Sequence, residues 1–182
     1  MRFAIAAACF SVLVLPTFTQ GVQGQLDWHT HHNPRYGFSL SYPKSVFSLE
    51  KTSEAGDGHL FSSRREKARL ITGVIVNSER HNPADYLKYV QARSYGNYKI
   101  TYRKSGESWF AISGTRGGLI FYEKVQFSCG GKLISSFAVI YPTASQRTIN
   151  PIIERMENSF RSARYCDGAA VSARSVPAGT AR

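Results

Sequence analysis

Cysteine, acid and long apolar runs are all scarce in this 182-residue chain, and each scarcity excludes something. Three cysteines are too few for a small fold built on disulfides. Twelve Asp and Glu against 23 Lys and Arg give a net charge of +11, so paired-carboxylate chemistry has little to work with. No apolar run reaches the roughly 18 residues that a membrane span needs. No Asn-x-Ser/Thr sequon occurs, and Gly-x-Ser-x-Gly is missing, so no nucleophile elbow is readable. What is present is 42% hydrophobic and 19% charged residues. That balance excludes a disordered or fibrous chain and suits one globular domain.

The first 24 residues read as a secretory signal peptide. Arg2 supplies the positive start, Phe3 to Leu15 the apolar core, and Val22-Gln23-Gly24 the compact residues before a cleavage ahead of Gln25. Residues 25–35 form a polar lead-in, 36–166 the single domain, and 167–182, rich in Ala, Ser, Gly and Arg, a flexible tail. Cleavage would remove Cys9 and leave Cys129 and Cys166. Two cysteines in an exported chain point to one disulfide. The expected location is outside the cytoplasm, in the bacterial periplasm, with no transmembrane segment in the mature chain.

Hydrophobic period sets the elements. Tyr36 to Tyr42 alternates large apolar and small residues, as a half-buried strand does, and Pro43 stops it. His59 to Ser63 and Ala68 to Val76 follow. The runs Leu70-Ile71 and Val74-Ile75-Val76 predict burial on both faces of the latter. Asn82-Pro83-Ala84-Asp85 starts a helix, with Asn82 to cap the free amides and Pro83 in the first turn. Four strands are then expected, over 99–103, 108–113, 119–129 and 132–141. The glycines at 114–118 and the Gly130-Gly131 pair mark turns between them. Asn150-Pro151 opens a second helix by the same rule. Its apolar stripe runs through Ile149, Ile152, Ile153, Met156 and Phe160. The result is an α+β fold, a mostly antiparallel six- to seven-stranded sheet with two main packed helices.

The stretch Tyr36-Gly37-Phe38-Ser39-Leu40-Ser41-Tyr42-Pro43 resembles the opening strand of the PsbP-like superfamily. That group includes the extrinsic photosystem II protein and many small exported bacterial proteins. Val46-Phe47 stands where a tryptophan often follows. The resemblance implies an antiparallel sheet sandwiched by helices over about Tyr36 to Ala163. It also implies an accessory or assembly role without chemistry of its own.

Several constellations could carry function. The positive balance predicts an anionic partner. Tyrosines at 86, 89, 95, 98 and 102 interleave with Lys88, Arg93, Lys99, Arg103 and Lys104. The anion-binding candidates are Arg93, Arg103, Lys104, Arg116, Arg155 and Arg161. Export argues against nucleic acid, which leaves an anionic envelope component or an acidic protein, with peripheral contact to a membrane surface included. His29, His31 and His32 form a metal-like cluster, since imidazoles favour copper, nickel or zinc; a solvated polar segment is the plainer reading. Asp57 with His59, and His81, are the residues from which a hydrolase site could be assembled; turn and surface roles explain them as well. The expected function is a non-enzymatic binding or accessory module without a cofactor. The alternatives are a small hydrolase with an unrecognised site and an envelope metal binder.

Overall fold

The computed structural model describes residues 26–54 and 57–167; the expected signal peptide and residues 168–182 of the expected tail lie outside them. Nine strands and two helices follow one another: β1 (Trp28–His32), β2 (Ser39–Pro43), β3 (Leu49–Thr52), β4 (Gly58–Ser62), β5 (Arg69–Val76), α1 (Pro83–Ser94), β6 (Lys99–Ser105), β7 (Trp109–Arg116), β8 (Leu119–Ser128), β9 (Leu133–Pro142) and α2 (Gln146–Ser159). Seven strands make one antiparallel sheet in the order β3-β4-β5-β9-β8-β7-β6, and β1 and β2 pair as a second, small sheet.

Turn chemistry holds the meander in register. Gly117 and Gly118 have φ of 53° and 79°, as a two-residue hairpin turn requires. Gly130 and Gly131 have φ of 63° and 85°, and the Lys132 amide closes that turn on the Cys129 carbonyl.

The large sheet is covered on both faces. On one face Leu70, Val74, Ile120, Leu133, Phe137 and Val139 pack with Phe38 and Leu40 of the small sheet and with Ile149, Ile152 and Met156 of α2. On the other, Phe110, Ile112, Phe121, Val125 and Phe127 pack under Val90 of α1 and Tyr95. Adjacent strand residues point to opposite faces, so each strand feeds both cores. The α1 side covers β7 and β8 but not β5. Ile71 and Ile75 are therefore 45% and 50% exposed, against the burial on both faces that their runs predicted, and Val76, on the other face at the end of the strand, is 60% exposed.

The α1 cap is as read. The Asp85 amide donates to the Asn82 side chain at 2.9 Å, and Asn82 Nδ2 donates to Asp85 Oδ2 at 2.7 Å. Asn82→Ala should cost about 1 kcal/mol, read as a lower urea midpoint with an unchanged slope. The second helix departs from expectation. It begins at Gln146, so Pro151 sits inside it, and Asn150 accepts from the Tyr141 hydroxyl at 2.9 Å instead of capping. Burial of Ile149 draws the helix back beyond the proline.

Two strands arise from segments with no alternation. β1 lies in the polar lead-in, which is thus part of the packed body, and β3 is wholly exposed. Each is made by pairing, β1 with β2 and β3 with β4. After α2 the chain returns along β2. Ser39 and Arg161 exchange backbone hydrogen bonds, and the Tyr36 carbonyl accepts from the amides of Arg164 and Tyr165. Cys166 then closes a disulfide on Cys129 across a Cα separation of 5.4 Å.

Candidate functional site

The disulfide forms one wall of a cleft of about 620 Å³. Arg35 and Tyr36 enter from the segment before β2, Val76 from the end of β5, Asn77, Arg80 and His81 from the loop after it, Gly130 to Lys132 from the β8–β9 turn, Leu133 from the start of β9, and Asp167 from beyond the disulfide. Asn77 fastens two of these walls together. Its Nδ2 donates to the carbonyls of His81 and Gly131 at 2.9 and 2.8 Å, and its Oδ1 accepts from the His81 amide at 3.0 Å. Arg80 is held with a positive φ of 52°, which is rare for a residue with a side chain. The Arg35 guanidinium lies 5.0 Å above the Tyr36 ring.

The cleft thus gathers three cations, Arg35, Arg80 and Lys132, beside an apolar surface from Tyr36, Val76 and Leu133. None of the three is in an ion pair among the described residues. A second cavity of about 320 Å³ shares Arg80, His81, Gly130 and Gly131 with it. The arrangement can take a carboxylate or phosphate with an attached apolar group.

The cations singled out from sequence lie elsewhere. Arg93 is exposed in the last turn of α1, and Lys104 is exposed on β6. Arg103, on β6, donates to Gln91 Oε1 at 2.7 Å, and Arg116 lies 5.9 Å from the Tyr98 ring centre. Those four belong to the α1–β6–β7 side of the molecule. Arg155 stacks on Trp28 at 4.2 Å, which ties α2 to the small sheet. Arg161 donates to the carbonyls of Asn158 and Phe160, closing the end of α2.

The histidine cluster is divided by the strand. Successive residues of β1 face opposite ways, so His32 points away from His29 and His31, and those two, on one face, have different partners. His29 Nε2 lies 2.9 Å from Asp27 Oδ1, His32 is exposed, and His31 turns inward to His59. The hydrolase candidates separate too. Asp57 accepts from Ser53 Oγ at 3.1 Å in its own turn. His59 has Glu50 Oε1 at 3.1 Å and Thr52 Oγ1 at 3.3 Å, both on Nδ1. A Ser-His-Asp relay needs hydroxyl and carboxylate on opposite ring nitrogens, so this trio is not one. His81 lines the cleft beside the rings of Tyr86 and Tyr89, at 5.7 and 5.4 Å.

Comparison with solved structures returns the same architecture from an independent direction. The solution structure of cyanobacterial PsbP (CyanoP) from Synechocystis sp. PCC 6803 superposes with a TM-score of 0.55 at 13% identity, covering 81% of this chain and 99% of that one. The fold is PsbP-like. The Ran-binding protein Mog1p of Saccharomyces cerevisiae shares it with a TM-score of 0.52 at 8% identity, over 75% of this chain and 96% of its own. The sequence matches no family model and no curated protein.

One titratable group in this PsbP-like body escaped the sequence reading. Glu123 on β8 shares the parity of Phe121 and Val125, so its carboxyl is carried into the core under α1. Burial pushes it up from 4.5 to about 7, and the Tyr95 hydroxyl, donating to it, opposes that rise. Burial beside Glu123 in turn pushes the Tyr95 phenol well above its ordinary range. An acid at an apolar parity is the signal that could have found it.

Proposed function

We propose that this protein is an exported, non-enzymatic binding module, and that its cleft takes an acidic segment of a partner protein. The observation that carries the reading is the gathering of Arg35, Arg80 and Lys132, none of them in an ion pair among the described residues, against Tyr36, Val76 and Leu133, with Asp167 on the same lining. Charge alone would serve solubility. Unpaired cations around a concave, partly apolar surface favour a bound carboxylate with a side chain beside it. Mog1p, which shares the fold, is named as a Ran-binding protein, so a protein partner has precedent on this scaffold. The apolar start and the Cys129–Cys166 bond favour an oxidising compartment, and the bacterial periplasm is the location we assign.

The test uses the tag-free chain, a fluorescent peptide rich in Glu and Leu, and vesicles with and without anionic lipid. Arg80→Gln combined with Lys132→Gln should weaken peptide binding at least tenfold. Arg103→Gln combined with Lys104→Gln, away from the cleft, should change it less than twofold. Raising salt from 50 to 300 mM should weaken binding further, because exposed charges are screened within roughly 10 Å at 0.1 M. Binding to anionic vesicles that depends on Arg103 and Lys104 would move the site to the β6 side. Turnover of an ester or peptide that is lost with His81→Gln would replace the reading by an enzyme.

A further inference from the structure

Three side chains from three strands meet where the two sheets touch. His31 comes from β1 of the small sheet, Glu50 from the edge strand β3, and His59 from β4. One ligand atom of each lies within 4.8 Å of the other two. We propose that His31, His59 and Glu50 form a binding site for a borderline divalent cation of the zinc and copper type.

The register explains why they converge. Thr52 pairs with His59 and Glu50 with Phe61, so Glu50, His59 and Phe61 serve the same sheet face. That is the face on which the small sheet lies. The rings of His31 and His59 are 4.0 Å apart, and His31 sits 5.6 and 6.0 Å from Phe38 and Phe61. Two buried phenylalanines therefore floor the cluster, and the half-exposed Glu50 side chain, 48% exposed, forms its solvent side. His59 is held more deeply, at 11% exposure, with Thr52 Oγ1 on its Nδ1.

One fact favours a cation over a simple packed cluster. His31 Nε2 is buried with no hydrogen-bond partner, and an imidazole nitrogen left that way forfeits the stabilisation that a partner would supply. Two imidazoles and one carboxylate are the donor set of an open tetrahedral zinc centre, whose fourth place goes to water. Ligand atoms around zinc stand roughly 3.3 Å apart at bond lengths of about 2.0–2.1 Å. No separation here exceeds 4.8 Å, so zinc geometry requires a closure of at most about 1.5 Å. Copper should bind more tightly than zinc, and calcium or magnesium, which want oxygen ligands, weakly.

Such a cation would do more than occupy a surface. It would join the small sheet to the weakly covered β3–β4 edge of the large one. At a concentration hundredfold above its dissociation constant it should raise the thermal midpoint by roughly 8 °C.

The experiment titrates the tag-free chain with zinc and copper chlorides, and with calcium and magnesium as contrasts. It is followed by calorimetry, by thermal melting and by the imidazole resonances of all five histidines. One equivalent should bind at micromolar or tighter affinity and shift the resonances of His31 and His59 first. His31→Gln, His59→Gln and Glu50→Gln should each weaken it at least tenfold, whereas His29→Gln with His32→Gln should change it less than twofold. The resonance shifts come from the unaltered chain, so a variant that folds poorly does not decide the matter. Binding that follows His29 and His32, binding that leaves His31 and His59 unmoved, or no binding below millimolar overturns the proposal. The anionic-peptide assay is unaffected by any of these results, so the two readings fail separately.

Discussion

Replacing Cys129 and Cys166 together by Ala should lower stability by roughly 4 kcal/mol, because the bond closes a loop across 37 residues and a cross-link of that length removes about that much entropy from the unfolded chain. A domain of this size has typically 5–15 kcal/mol in total, so the loss would be a large fraction. The bond also pins the segment that returns from α2. That segment keeps anchors of its own, the Ser39–Arg161 pair and the Tyr36 carbonyl, and the Ala163 amide on Ser135 Oγ at 2.9 Å. The folded state should therefore survive, with the loss falling on the unfolded side. Urea unfolding should show both a lower midpoint and a steeper dependence, as the released chain exposes more surface. A loss below 1 kcal/mol would contradict the account.

Glu123→Gln should stabilise the protein by about 3 kcal/mol at pH 8 and hardly at all at pH 4.5. In the unfolded chain the carboxyl ionises near 4.5; in the core it does so near 7. Between those values the folded state holds a proton that the unfolded state has lost. Stability contributed by this group is thus complete below about 4.5, falls as pH rises through the window, and is gone above about 7. Gln keeps the acceptor for the Tyr95 hydroxyl and has no proton to lose. The difference between variant and parent should grow by about 1.4 kcal/mol per pH unit across the window and then level. Urea midpoints at pH 4.5, 6, 7 and 8 measure it, and a difference independent of pH would sink the burial argument.

The parts of this molecule that were legible in its sequence are those set by neighbours along the chain. Asn82-Pro83 announces α1 because capping is a contact over three residues, and the glycine pairs announce hairpins because positive φ is a local demand. The alternating start at Tyr36 gave β2, and with it the likeness that the fold bears out. What was illegible depends on distant partners. β1 and β3 are polar strands that exist because β2 and β4 pair with them. Ile71 and Ile75 read as buried, but whether α1 reaches them is decided by its docking over β7 and β8. The cleft draws Arg35, Arg80 and Lys132 from three separate segments, so no spacing reveals it. The histidines at 29, 31 and 32 were counted as one group because they are close in sequence. The strand turns His32 away from the other two, and His31 finds its companions at Glu50 and His59.

The outer strand β6 closes one side of the large sheet with exposed side chains almost throughout, Lys99, Arg103 and Lys104 among them, and its pairing with β7 slips between Ile100 and Tyr102. An uncovered strand is an open template for another chain, and fibrils grow from such templates. Here a second copy approaching edge to edge would bring like charges together over a bent ladder. Cations that look like a docking surface for acidic partners thereby also keep the protein from assembling with itself, and the two duties pull against each other: an acidic molecule that neutralised β6 would remove a guard against aggregation, whereas one held in the cleft near Arg80 leaves that guard in place.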